Sequence, residues 1–330
     1  MTRIPDYAVL GKLARYRIIF PPMPMALRRR WRKWRSVILG ADPVGPVAVM
    51  TRLDKMLPGH PYAKSAVDIA LWDITAQAAG LPLFALLGGR QITQLPLYHS
   101  ITCVAPEEMA KIAKESQKEG ITQFQVKLGV NANWEADVAR LRLVREAVGT
   151  APLVYGDWNC GVTRLYATRV GRALRPADVM LEQPCKTLED CAAVKKATGL
   201  PMKIDENAHD TDSLLRAYAL GCMDAVAVKL SKFGGLSAAA CARDLCIHLG
   251  AQMCVEDAWG SDVAMMAALH LAASTAPGAL LNVCDLSGYV TPRLDLSCPT
   301  RRRGCIRLDD RPGLGATPDP DTLGEAILEL

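Results

Sequence analysis

Three acidic residues, Asp157, Glu182 and Asp205, follow one another at intervals of 25 and 23 residues, each closing a short apolar run. Lys127 precedes the set and Lys229 follows it, 30 and 24 residues away. Each interval fits one strand plus one helix, so the five side chains can converge where consecutive parallel strands end. Carboxylate oxygens on a rigid scaffold suit a hard divalent cation: one Mg2+ per site, with Mn2+ as the alternative. A lysine on either side then places an amine across whatever the cation holds. The chemistry this set can perform is removal of a proton beside a carboxylate, where the cation spreads the second negative charge that develops. A partly buried lysine near a divalent cation and a second ammonium should have its pKa lowered, leaving the neutral amine needed in a base. With two lysines, one can take a proton and the other return one. Taken singly, an acid at a strand end is ordinarily a helix cap or half of an ion pair, and Lys229 alone would read as a surface residue. The argument rests on the set in register.

Those residues need a scaffold of repeating strands and helices. From Leu95 onward, short β-branched runs alternate with helix-patterned stretches. The expected strands are Leu95–Ile101, Gln123–Leu128, Leu153–Asp157, Val179–Glu182, Met202–Asp205, Ala225–Lys229, Gln252–Glu256 and Leu280–Asp285. Eight strands with seven helical stretches between them indicate an α/β fold, a parallel barrel in preference to a doubly wound sheet. Helices are expected at Pro106–Glu119, Asn133–Val148, Ser213–Leu220 and Ser237–Leu249, the last with Ser237 as a candidate N-cap after Gly234-Gly235. Ahead of the barrel, Pro61–Gly80 is strongly helical and Leu81–Gly89 reads as a short helix stopped by glycine. The Pro-, Gly- and Arg-rich segment 291–330 should pack back on the first domain.

The 330 residues are half hydrophobic, enough for a barrel plus a smaller domain. No apolar run reaches transmembrane length, and no secretory signal opens the chain, so a cytoplasmic location is expected. Eleven cysteines without C-x-x-C spacing read as free, mostly buried thiols. The net charge of +5 is local: residues 1–41 hold ten Lys or Arg and one acid, leaving 29 bases and 33 acids beyond them. The tract Leu27–Arg35 could suggest nucleic acid or an anionic membrane. No stacking platform or DNA-binding motif accompanies it, so neither is the expected partner.

The motifs around these residues resemble the muconate lactonizing enzyme subgroup of the enolase superfamily. Lys229-Leu-Ser-Lys-Phe-Gly-Gly-Leu236 is similar to its sixth-strand signature, and Gln125-Val-Lys127 to its Lys-x-Lys motif, with Gln125 in place of the first lysine. Gly156-Asp-Trp-Asn159, Leu181-Glu-Gln-Pro184 and Ile204-Asp-Glu206 resemble its metal strands, and Pro58–Asp73 its capping helix. The likeness runs from about Val37 to the C-terminus. It implies a modified TIM barrel, (β/α)7β, over residues 93–290, with a partial α+β capping domain whose helical remainder is 37–92. It also implies Asp157, Glu182 and Asp205 as Mg2+ ligands and Lys127 and Lys229 as the acid/base pair. Gln125 stands where the base is usually tuned.

Within the subgroup, Pro58–Lys64 and Val255–Asp262 are most similar to cis-3-hydroxy-L-proline dehydratases and hydroxyproline betaine epimerases. That implies a small carboxylate substrate, a proline derivative, met by Gln125, Asn159, Glu256, Asp257, Trp259, Asp262 and Asp285. The acids among these, with the Trp259 ring, could hold the substrate ammonium. Relatives are often octamers or dimers, so a homo-oligomer is expected.

The family begins with a β-meander whose loops close over the substrate. Residues 1–36 lack that pattern and carry the basic tract instead. A changed reading frame would explain it: shifting the frame through Pro22–Leu27 gives x-Ala-x-Gly, and plausible codons continue it with Ala, Glu and Val, like the helix expected just before Ile38. A site without its closing loops would be wetter, giving the competing expectation of an impaired barrel.

Overall fold

Apolar strands buried on both faces and joined by amphipathic helices are the sequence form of a parallel sheet, and that sheet is what the chain builds. The computed structural model describes residue 34 and residues 36–130, 133–258, 262–289 and 293–323. The basic segment 1–33, with Arg35, therefore lies outside the described residues, as does Trp259.

In chain order the elements are α1 (Pro46–Met56), α2 (Pro61–Ala79), α3 (Leu83–Leu86), β1 (Leu95–Pro96), β2 (His99–Ile101), α4 (Pro106–Lys118), β3 (Gln123–Lys127), α5 (Trp134–Val148), β4 (Leu153–Asp157) and α6 (Arg164–Leu174). There follow β5 (Met180–Glu182), α7 (Leu188–Thr198), β6 (Met202–Ile204), α8 (Thr211–Ala219), β7 (Ala225–Lys229), α9 (Leu230–Phe233), α10 (Leu236–Leu249), β8 (Gln252–Glu256), α11 (Asp262–Ala273), β9 (Leu280–Val283), β10 (Cys305–Ile306) and α12 (Pro320–Leu323).

Strands β2 to β9 form one eight-stranded sheet in sequence order, and every neighbouring pair is parallel. The sheet curls until Leu97, just before β2, bridges Val283 of β9. This is the modified TIM barrel, (β/α)7β. Its interior is filled by large buried side chains such as Tyr155 and Lys203, which pack against each other. A smaller cluster of Trp34, Ile38, Val49, Met50, Leu53, Ala63, Val67 and Leu71 forms a second core in the capping segment.

The expected elements recur with adjusted ends. Leu95–Ile101 is two strands, because β1 pairs antiparallel with β10 while only β2 joins the barrel. Leu81–Gly89 is helical only over α3. Helix α8 starts earlier than expected, at Thr211, because Asp210 and Ser213 form a capping box.

Ser237 is not the N-cap of α10; that position is Gly235, which offers no side chain. The capping carboxylate comes from the other core. Asp68 on α2 accepts from Ser237 N at 2.9 Å and from the Ser237 hydroxyl at 2.5 Å. Gly235 has φ +123°, and a methyl group there would overlap the Asp68 carboxylate. In the segment after the barrel, Leu314 N donates to Asp73 on α2 at 2.7 Å, and Gly313 exchanges backbone hydrogen bonds with Leu81 and Leu83.

Candidate active site

Register decides which side chains meet. Lys127, Asp157 and Glu182 are direct neighbours across β3, β4 and β5, and Glu182 stands opposite Lys203 of β6. Asp205 follows Lys203 by two residues, so both point to the same face. Lys229 ends β7 beside Glu256 of β8. With strands in sequence order around the barrel, β3 and β7 are half a turn apart. Lys127 and Lys229 thus stand on opposite walls, with the three acids between them.

The acids are fully buried, Asp157 and Glu182 at 0% exposure and Asp205 at 1%. Each is drawn to an ammonium. Lys127 Nζ donates to Asp157 Oδ2 at 2.5 Å, and Lys229 Nζ donates to Asp205 Oδ2 at 2.6 Å. Lys232 Nζ donates to Asp205 Oδ1 at 2.8 Å. Gln125 Nε2 donates to Glu182 Oε2 at 2.8 Å. On the other oxygen, Glu182 Oε1 lies 2.9 Å from Lys203 Nζ, an ion pair outside hydrogen-bonding angles.

Burial and these pairs set the protonation balance. Burial raises the Glu182 carboxyl well above the usual carboxylate range; Lys203 opposes the rise, and Asp157 and Asp205 add to it. Burial also acts to raise Asp205, but Lys232 and Lys229 override it and hold the group well below that range.

The lysines depart from expectation. Burial lowers the pKa of Lys127, but Asp157 outweighs it and the net shift is upward. Lys229 is likewise raised, since Glu256 and Asp205 overcome burial. The physical reason is that each amine has carboxylates as its nearest charges. A divalent ion on those oxygens would cancel that field.

Among the described residues no three His, Cys, Asp or Glu side chains are already gathered as a metal cluster. The donor set still fits a hard divalent cation. It is all oxygen and sits on three adjacent strands, and the acids lie close enough that Asp157 and Asp205 add to the burial that raises Glu182. Asp157, Glu182 and Asp205 are the residues that could hold the ion.

The wider set separates by partner. Glu256 faces the interior, accepts from the Tyr98 hydroxyl and lies 4.0 Å from Lys229. Asn159 bridges Lys127 and Glu206. Other members have their oxygens committed within the fold. Asp257 accepts from Ser231 N, the Ser231 hydroxyl and Ala258 N. Asp262 is held by Arg293 and by the amides of Leu294 and Asp295, and Asp285 accepts from Gly288 N.

Sequence reasoning missed Lys203, Lys232 and Tyr98. Lys203 lies two residues before Asp205, a period-2 signal that could have placed it on the site face. Lys232 lies three after Lys229, one helical turn. Nothing local marks Tyr98; only barrel closure brings it to Glu256.

Residues 108–322 match the family described as Enolase C-terminal domain-like, and residues 32–88 match the Mandelate racemase / muconate lactonizing enzyme, N-terminal domain. The chain belongs to the mandelate racemase/muconate lactonizing enzyme family of the enolase superfamily.

It is thus an enolase-superfamily enzyme, and its relatives include lyases and racemases. A cis-3-hydroxy-L-proline dehydratase from Roseibium aggregatum is 38% identical over 307 residues, 93% of this chain and 83% of the relative. An N-succinyl-L-Arg/Lys racemase from Bacillus cereus is 30% identical, over 87% of this chain and 78% of the relative. A crystal structure of an enolase-superfamily member from Roseovarius nubinhibens ISM complexed with magnesium has a TM-score of 0.88 and 34% identity, covering 94% of this chain and 84% of that one. No helix among the described residues is long and apolar enough to cross a membrane.

Proposed function

We propose that this enzyme removes the proton α to the carboxylate of a hydroxyproline-type amino acid and eliminates the β-hydroxyl as water. The observation that carries the reading is the row of three buried acids with Lys127 and Lys229 on opposite walls. The dehydratase relative supports the substrate class.

Asp157, Glu182 and Asp205 would hold one Mg2+, with Mn2+ able to replace it. Bound there, the ion would stabilise the charge that builds on the substrate carboxylate as the α-carbon loses its proton. Lys127 and Lys229 are each placed to face one side of that carbon. One amine takes the proton, and the substrate passes through an enolate. The hydroxyl then leaves with a proton from an acid in the site. Glu256, held by Tyr98, is the carboxylate nearest Lys229 that is not assigned to the metal, and it is our choice for the substrate ammonium.

Two opposed lysines also suit epimerisation, in which the second amine returns a proton to the other face; the racemase relative favours keeping that reading. The deciding experiment incubates the protein with Mg2+ in D2O and a panel of proline, hydroxyproline, betaine and N-succinyl amino acids. Loss of water from cis-3-hydroxy-L-proline is the expected result, with the α-proton gone from the product and α-deuterium confined to substrate returned from the enolate. Exchange with inversion and no water loss would select the epimerase. Neither water loss nor exchange with any compound would sink both and leave a barrel impaired in catalysis.

A further inference from the structure

The two lysines are held in different ways. Lys229 hangs between buried carboxylates, 2.6 Å from Asp205 and 4.0 Å from Glu256. Lys127 has Asp157 and one neutral partner, Asn159, whose Oδ1 accepts from Nζ at 3.2 Å. The chain of contacts continues outward: Asn159 Nδ2 donates to Glu206 Oε1 at 3.0 Å.

Asn159 sits at φ +45°, a left-handed conformation that asparagine tolerates better than most residues. Its backbone N–H donates to Asp157 Oδ1 at 2.8 Å, which pins the residue beside the site. The direction of its side-chain amide is then set by Glu206. An ionised carboxylate only accepts, so the NH2 group must face Glu206 and the carbonyl must face Lys127. Without Glu206 the amide can turn over and present N–H groups to the ammonium, which repels them. If Asp157 gives its oxygens to a divalent ion, Asn159 is what remains to aim the lysine.

We propose that Glu206 is a positioning residue, acting through Asn159 to hold Lys127 in the direction from which it meets the substrate. The inference rests on Lys127 being one of the two acid/base groups, and it assigns to that lysine a support that Lys229 lacks.

The test compares wild type with Glu206→Ala, Glu206→Gln and Asn159→Ala, using the full chain with Mg2+. First, without substrate, each protein is acetylated with a small amine-reactive ester, and the labelling rates of Lys127 and Lys229 are read by mass spectrometry. Lys127 should label several-fold faster in both alanine variants, with Lys229 unchanged and Glu206→Gln in between. Equal changes at both lysines would mean that Glu206 merely supports the adjacent Asp205, and no change at Lys127 would mean the bridge does nothing; either overturns the proposal. Second, α-proton exchange is measured on both enantiomers of a substrate. Glu206→Ala should slow the enantiomer that depends on Lys127 on the order of tenfold more than the other. If wild type exchanges no compound, the assigned reaction fails, while the labelling result still decides the role of Glu206.

Discussion

In the proposed reaction Lys127 and Lys229 face opposite sides of a bound α-carbon, and that difference is measurable. Lys127→Ala and Lys229→Ala should each lose α-proton exchange by on the order of 10^2- to 10^4-fold, for opposite enantiomers. Equal tolerance of both changes, read by NMR in D2O, rules out the two-base scheme. Lys203 poses a separate question, since its ammonium is fully buried, 2.9 Å from Glu182 and 4.8 Å above the Tyr155 ring. Lys203→Met leaves Glu182 without its counter-charge and should cost roughly 3–5 kcal/mol of stability. Adding Glu182→Gln removes the stranded charge and should recover much of that loss in urea unfolding. A double variant no more stable than the single one would show that the pair is not coupled.

At the scale of elements, the joint between α2 and α10 governs how the capping helix sits on the barrel. The first turn of α2 lies against the glycine turn after Lys229, with Pro61 3.7 Å from where a methyl group on Gly234 would stand. Asp68 from α2 then caps α10. Asp68→Ala removes both bonds and should destabilise the fold by about 1–2 kcal/mol. The conformationally permissive Gly235 matters at the same joint. Gly235→Ala meets an unfavourable φ and the Asp68 side chain together, so it should lower the thermal midpoint more than Ala at Gly250, where nothing lies within 4 Å. Equal effects of the two substitutions would deny the close approach any energetic role.

For the whole molecule, His270 is a fastener between three regions. Its Nδ1 accepts from Phe84 N at 3.0 Å, so its Nε2 carries the proton and donates to Leu314 O at 3.1 Å. Burial lowers the His270 pKa to about 4. The unfolded chain takes up a proton near pH 6.5 that the folded one refuses until about 4. Stability contributed by neutral His270 is therefore complete above pH 6.5 and is lost as pH falls toward 4, by on the order of 3 kcal/mol. Urea midpoints at pH 7 and 4.5 should differ in wild type. His270→Gln should be weaker at pH 7 and show a shallower acid slope. An unchanged slope would remove His270 as the cause.

Much of the site was legible before any coordinates. The alternation of apolar strands and helices, and the one-unit spacing of Lys127, Asp157, Glu182, Asp205 and Lys229, follow from local periodicity, which a single sequence displays directly. What only the tertiary structure decided were contacts across the barrel or between cores. Lys203 paired with Glu182, Tyr98 against Glu256, Asn159 bridging Lys127 to Glu206, and Asp68 capping α10 all join residues far apart in sequence or on different strands. The direction of the lysine pKa shifts belongs to the same group. It depends on which carboxylate oxygens lie within a few ångströms of each amine, and register and curvature set those distances.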